Sequence, residues 1–345
     1  MSDKKRSIAI WCTPHEGNIS TSYQIHINFW RISKKSKLKK VNNKRDFIEI
    51  GILLNNPREI KEICLYIPIK VNVKDISDCS NYFKNNDIAQ GIFNEPLNSF
   101  EDNNPRRIDF LKLNEKFGSI YQFPTSNAIL DSNYINISEQ NDGSIIKITD
   151  TSLNCAKEIY NLTEKFVYFR IRVFIPHDNN PFIKDIEPLD SIMMSGFDVV
   201  EYMDFRINEA RMLPDQVEDI IRNSTSGRKI PCDYIAFLTA VPVTTSLSIS
   251  SPNMHKQRLL EHEIWNDYVP DGIPDGMMVY HWKKLPPNES NSVDDFITFI
   301  KLQTRFTDSI TLIKYLIFAF LFGIAGNLCA SVVQYCFTTY MWPAR

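Results

Sequence analysis

Glycine is scarce in this chain, with 11 in 345 residues, and none falls in G-x-G-x-x-G, G-x-x-x-x-G-K-[ST] or G-x-S-x-G. The phosphate-cradling loops and the nucleophile elbow that those patterns build are therefore excluded. Seven cysteines are scattered without a C-x-x-C pair, which argues against a disulfide framework or a structural zinc. His262-Glu263 lacks the second histidine of a zinc-protease helix, and His255 stands seven residues upstream rather than four. Asp267, Asp271 and Asp275 with Gly272 and Gly276 resemble a calcium loop, but Pro270, Pro274 and the missing closing glutamate make a polar turn the better reading. No catalytic residue, metal ligand or cofactor motif stands out, and the expectation is a protein that is not an enzyme and needs no cofactor. A global charge imbalance is also lacking: 39 Lys and Arg face 41 Asp and Glu, so neither a nucleic-acid coat nor an acidic disordered tail is indicated. With 43% hydrophobic and 12% aromatic residues, the chain has the composition of a folded protein. The apolar run Ile8–Cys12 is too short for a signal-peptide core, so the N-terminal part is expected to be cytosolic.

The informative absence is local. Residues Tyr315–Ala344 contain no Asp, Glu, Lys or Arg. The apolar tail Tyr315–Met341 would make about 40 Å of helix at 1.5 Å per residue, enough for one tilted crossing of a hydrocarbon core about 30 Å thick and too little for two. Tyr315 at one end and Tyr340 with Trp342 at the other match interfacial aromatic belts. Lys301, Arg305 and Lys314 precede the span and only Arg345 follows it, which predicts a single-pass inner-membrane protein with its N-terminal part in the cytoplasm.

At 100° per residue, Asn327, Ser331, Gln334 and Thr338 project within about 60° of one another. Amides and hydroxyls gathered on one stripe of a membrane helix belong against water or another helix. Beside them Ala319, Gly323, Gly326 and Ala330 form a small-residue face suited to close helix packing. Leu316 and Phe320 continue the polar azimuth toward the cytoplasm as a candidate apolar gate. Several copies around an axis would form an uncharged polar conduit; in a dry bundle the same groups would instead be interhelical glue.

In the soluble part, alternating apolar and polar residues predict strands over 22–31, 47–54, 63–71, 134–137, 145–149, 166–175, 197–207, 234–241 and 277–282. Helical patterns are fewer, over 153–165, 215–223 and 255–265. Breaker-rich seams divide the chain into a β-rich domain with a basic patch (1–175), a second α+β region (176–290), an amphipathic stalk helix (291–314) and a transmembrane helix (315–341). The expected fold is thus α+β, a β-rich body followed by a C-terminal stalk and a single transmembrane helix. The stalk rests on Ser292 and Asp295 as a helix start and on Phe299, Phe306, Ile313 and Phe320 recurring every seven residues. A helix packed on its own domain would show the same pattern.

Arg31, Lys34, Lys35, Lys37, Lys39, Lys40, Lys44 and Arg45 place eight positive charges in fifteen residues, directly after Phe29 and Trp30. Cations beside aromatics suit single-stranded oligonucleotides or nucleotides, and equally the anionic inner leaflet; a solvated hairpin loop is the plainer alternative. Tyr168, Arg170, Arg172 and Phe174 repeat the interleaving on one strand face, making Arg170 and Arg172 further candidate ligand residues.

The tail Lys314–Arg345 and the patch Phe29–Arg45, joined by a β-rich body, resemble in architecture the membrane effectors of bacterial anti-phage systems, in particular the Hailong-like channel effectors. That resemblance carries no diagnostic motif and transfers no residue roles. It implies a homo-oligomeric ion channel of more than two copies, with four as a working number, controlled by oligonucleotide binding in the cytosolic part. A tail-anchored adaptor and a tail-anchored hydrolase without a recognisable motif are the alternatives.

Overall fold

A computed structural model describes residues 6–15, 19–32, 45–127, 129–163, 165–176, 180–186, 198–274, 276–287, 292–305 and 309–341. The chain opens with strands β1 (Ala9–Pro14), β2 (Tyr23–Trp30), β3 (Phe47–Leu54), β4 (Ile60–Ile67) and β5 (Ile76–Asp78), followed by helix α1 (Asn86–Phe93). Next come β6 (Asn98–Asn103), β7 (Arg106–Lys112), β8 (Glu115–Tyr121), the two-residue β9 (Thr125–Ser126) and β10 (Ile129–Leu130), β11 (Ile135–Gln140) and β12 (Gly143–Ile148). Helix α2 (Asp150–Thr163) leads to β13 (Val167–Phe174), β14 (Ile183–Ile186) and β15 (Asp198–Ile207), and α3 (Asp215–Thr225) leads to β16 (Cys232–Pro242), β17 (Thr245–Ser251) and β18 (Lys256–Leu259). After α4 (His262–Asn266), β19 (Met277–Lys284) and β20 (Phe296–Arg305) complete the strands, and α5 (Ser309–Cys336) ends in a wider π-helical turn, Phe337–Met341.

The principal sheet runs β18-β19-β16-β2-β3-β13-β8-β7-β6, with β5 added on β13. A second sheet, β1-β4-β12-β11, lies across it. Their facing side chains build the main core: Ile25, Ile27 and Phe29 of β2, Ile50 and Ile52 of β3, and Phe169 and Ile171 of β13 share one buried cluster with Ile63 and Leu65 of β4 and Ile146 and Ile148 of β12. The period-two patterns thus do what they predict, because one side of each strand enters this core. At Asn141-Asp142 the hairpin pairs Gln140 with Gly143, and Asn141 supplies the positive φ (54°) that such a turn requires.

The structure is α+β, with a β-rich body and a C-terminal helix long and apolar enough to span a membrane over Leu312–Thr339, at mean hydropathy 2.2. The body divides differently from the expected 1–175 and 176–290, since β16 of the second region pairs in parallel with β2 of the first. Two compact units are resolved, one of residues 1–184 and 201–302, the other of residues 185–200 and 303–345, which carries α5.

The middle of the expected stalk helix over 291–314 is instead strand β20, and helix begins only at Ser309. Phe296, Thr298, Ile300 and Leu302 are buried while Ile297 is 37% exposed, so the operative period is two. The seven-residue spacing from Phe299 reaches Phe306, which lies outside the described residues, and the seam is helical only from Ile313 onward. Residues 255–265, expected as helix, form β18 and the short α4 for a similar reason: Lys256–Leu259 pair with β19. The strand assignment is open to test, because a helix would place residues 297 and 300 on one face. Ile300→Ala is expected to cost about 2–5 kcal/mol and Ile297→Ala less than about 0.5 kcal/mol in chemical denaturation; equal costs would contradict it.

Candidate functional site

The second face of the principal sheet is covered unevenly. Over β3 and β13 it is sealed by the cluster of Trp30, Phe47, Ile88, Trp265 and Tyr268 and by that of Leu53, Phe83, Phe110 and Tyr168. Over β2, β16 and β19 it opens into a cleft of about 790 Å³. Strand register lays out its floor. One row across the sheet reads Lys283, Ala236, His26, Gly51, Arg170 from β19 to β13, and the next reads Lys256, His281, Leu238, Asn28, Glu49, Arg172 from β18 to β13. Four inter-strand spacings separate Lys283 from Arg170, about 19 Å at about 4.8 Å each. Ala236 keeps the floor low beside His26, whereas the space over Gly51 on the other side is filled by Tyr168. At Gly51 a Cβ would overlap the Tyr168 phenol, whose ring lies across the glycine and reaches Arg170.

At the β3–β13 end the cleft rests on a buried ionic network. Glu49, Arg170 and Arg172 have side chains 0%, 0% and 1% exposed. Glu49 Oε2 accepts from Arg170 Nη2 at 2.6 Å and from Tyr268 Oη at 2.8 Å, and its Oε1 accepts from Arg172 Nε at 2.9 Å. Arg172 also lies over the rings of Phe47, Tyr82 and Tyr268, 4.5 to 5.1 Å from their centroids. Burial opposes ionisation of Glu49, but the two guanidiniums and the Tyr268 hydroxyl outweigh it and hold its pKa below the ordinary value. Removing one member of such a network costs about 3–5 kcal/mol, because the remaining charge is stranded away from water.

At the other end the cleft is cationic. Lys256 and Lys283 are exposed, and Arg258 pairs with Glu261. Glu95, the only acidic residue among the described residues lining the cleft, pairs with Lys112 at 2.6 Å. Between the ends stand His26, ringed by Tyr168, Tyr234 and Phe93 at centroid distances of 5.6, 5.9 and 6.4 Å, and His281, 5.6 Å from His255. Burial, then Arg170, lowers the His26 pKa to about 3; burial, then His255 and the neighbouring Lys256 and Lys283, lowers that of His281 to about 4. Both imidazoles are neutral at pH 7. Among the described residues the His281 Nε2 and the Trp30 Nε1 are buried without a hydrogen-bond partner, and both residues line the cleft. Among the described residues no group of three or more His, Cys, Asp or Glu is placed to hold a metal ion.

The candidate ligand residues separate along these lines. Trp30 and Arg170 are brought together at the cleft, whereas the Phe29 ring points to the opposite face and packs on Phe182 and Phe205 in the core. Arg31 is buried between Asp46 and Glu201, at 2.7 Å from each, and Arg172 is locked on Glu49. Lys34, Lys35, Lys37, Lys39, Lys40 and Lys44 lie outside the described residues. At the far end of that run Arg45 pairs with Asp75 and covers the Phe174 ring. Sequence reasoning missed His26, Asn28, His281, Lys256 and Lys283, because the row that joins them exists only once β16 and β19 are placed beside β2.

On α5 the candidate conduit residues Asn327, Ser331, Gln334 and Thr338, the gate pair Leu316 and Phe320, and the packing face Ala319, Gly323, Gly326 and Ala330 are all exposed. The Ser331 hydroxyl donates to the Asn327 carbonyl at 2.9 Å and that of Thr338 to the Gln334 carbonyl at 3.0 Å. The helix satisfies both hydroxyls itself, so the stripe's unmet polarity rests in the two amides.

Comparison with protein-family models finds no match, and comparison with curated proteins finds none either.

The depressed histidines make the body acid-sensitive. An unfolded histidine binds a proton near pH 6.5, whereas folded His26 and His281 resist it, so the unfolded state holds more protons and stability falls as pH drops from about 6.5 toward 4. Each histidine contributes up to about 1.4 kcal/mol per pH unit in that window. Denaturation of the full chain in detergent is expected to show this loss, reduced in His26→Gln and His281→Gln; an unchanged pH slope in both variants would contradict it.

Proposed function

We propose that this protein is a single-pass membrane receptor for an anionic, nucleotide-like ligand, and that its C-terminal span assembles with copies of itself into a conduit whose opening the ligand controls. The observation that carries the reading is the cleft on the principal sheet, where unpaired cations, neutral histidines, aromatic rings and unpartnered N–H and imidazole groups face one hollow. Phosphates suit the cations and bases suit the rings, with backbone charge supplying much of the affinity. Arginine and lysine before the span favour a cytoplasmic body at an inner membrane. The likeness to anti-phage channel effectors supports a role in defence.

A second reading has its own support. Because Ser331 and Thr338 bond their own helix, the stripe is less polar than its sequence, as befits an anchor that dimerises through Asn327 and Gln334 in a tail-anchored adaptor. Function separates the two. Replacing Asn327, Ser331, Gln334 and Thr338 by Leu is expected to leave insertion intact and abolish ion flux through proteoliposomes, with wild-type protein cross-linking beyond the dimer. Unchanged flux in the variant, or a wild-type protein that is at most dimeric, would favour the adaptor.

A further inference from the structure

The ionic network beneath the cleft is unbalanced. Among the described residues Arg170 and Arg172 bring two positive charges against the one negative charge of Glu49, leaving one surplus. The neighbouring hydroxyls and thiol do not cancel it: burial pushes Tyr168, Tyr268 and Cys79 above their ordinary pKa values, so all stay neutral near pH 7. Asp78 is held elsewhere, by the Ser80 hydroxyl and the Phe123 amide. Arg172 has three ring faces and Glu49 around it, whereas Arg170 meets two phenol oxygens, a carboxylate and an amide.

Donor counting points to the same residue. A guanidinium has five N–H groups. The Arg170 Nε–H donates to Tyr268 Oη at 3.2 Å, one Nη1–H to Tyr168 Oη at 2.9 Å, and the Nη2 hydrogens to Glu49 at 2.6 Å and to Asn28 Oδ1 at 2.7 Å. The Asn28 amide takes this orientation with its nitrogen donating to the Ile27 carbonyl at 3.1 Å. Among the described residues one Nη1–H of Arg170 has no acceptor, and the residue is fully buried yet lines the cleft. A buried, partly unpaired cation facing a cavity is costly unless an anion completes it.

We infer that the floor of the cleft at Arg170 and Asn28 is a subsite for one singly charged oxyanion of the phosphodiester type, separate from the lysines at the rim. This rests on the cleft being the ligand site. A monoanion matches the surplus of one, while Lys283 and Lys256, four and five strand spacings from Arg170, would meet a second anionic group of an extended ligand.

Asn28→Asp tests this, since it places a carboxylate where the amide now accepts from Arg170, at the loss of the bond from the amide nitrogen to the Ile27 carbonyl. The full chain in detergent is melted alone, with inorganic phosphate, with a dinucleotide carrying one phosphodiester, and with the same dinucleotide bearing a neutral methylphosphonate link. Wild-type protein is expected to be stabilised by phosphate and the phosphodiester and not by the methylphosphonate. Asn28→Asp is expected to lose the response to both anions. A response to both anions that Asn28→Asp leaves undiminished would overturn the subsite. So would an anion response that survives Asn28→Asp but vanishes in Lys256→Gln/Lys283→Gln, which leaves the cleft as a rim-only anion site. If neither anion stabilises wild-type protein, the cleft reading fails together with the subsite.

Discussion

Glu49 sits in the middle strand of three, β2, β3 and β13, with its carboxylate between two buried guanidiniums and beneath the hydroxyl of Tyr268. Much of the second sheet face follows from that arrangement. Tyr268, bonded to both Glu49 and Arg170, fastens the segment after α4 over the sheet, where Trp265 and Trp30 pack beside it. Gly51 is confined to glycine because Tyr168 must cross it to reach Arg170. Where these residues stop, over β16 and β19, no described residue covers the face and the cleft begins. A polar network of this kind adds little net stability over an apolar one, but it fixes which residues are sealed and which are left facing solvent.

How much of this was legible depends on sequence distance. The strands Tyr23–Trp30, Phe47–Leu54 and Val167–Phe174 announce themselves by strong period-two patterns, and the shared face of Tyr168, Arg170 and Arg172 is visible in the same way. The reason for that face is not, since Glu49 is 121 residues from Arg170 and meets it only through sheet register. Read locally, two arginines among aromatics suggest a solvent-facing groove; in the fold they are among the most buried side chains of the chain. Phe29 and Trp30 show the limit differently: adjacent in sequence, they point to opposite faces, one into the main core and one to the cleft. The hairpin β6–β7 is not announced in the same way, because the mostly polar Asn98–Asn103 form an exposed edge strand, which lacks the apolar alternation that betrays a half-buried one.

The C-terminal span is the opposite case, in which composition alone suffices. An uncharged run of that length is read from the sequence without knowledge of any tertiary contact. Its start is less legible: β20 and α5 both place apolar residues at intervals that fit a seven-residue repeat, and only burial separates a strand from a helix there. The polar stripe changes meaning as well. Two of its four groups are absorbed by the helix backbone, so any assembly through this face depends chiefly on Asn327 and Gln334.

The proposed function joins a cleft suited to an anion with a candidate membrane span, and its central claim is that the first controls ion flux through the second. Ion flux from proteoliposomes carrying wild-type protein or Lys256→Gln/Lys283→Gln, measured with and without a short single-stranded oligonucleotide, tests that claim most directly. The account predicts that oligonucleotide changes the flux of the wild-type protein and that the double variant needs a several-fold higher concentration for the same change. Wild-type flux that is indifferent to oligonucleotide, or an identical response in the variant, would contradict it.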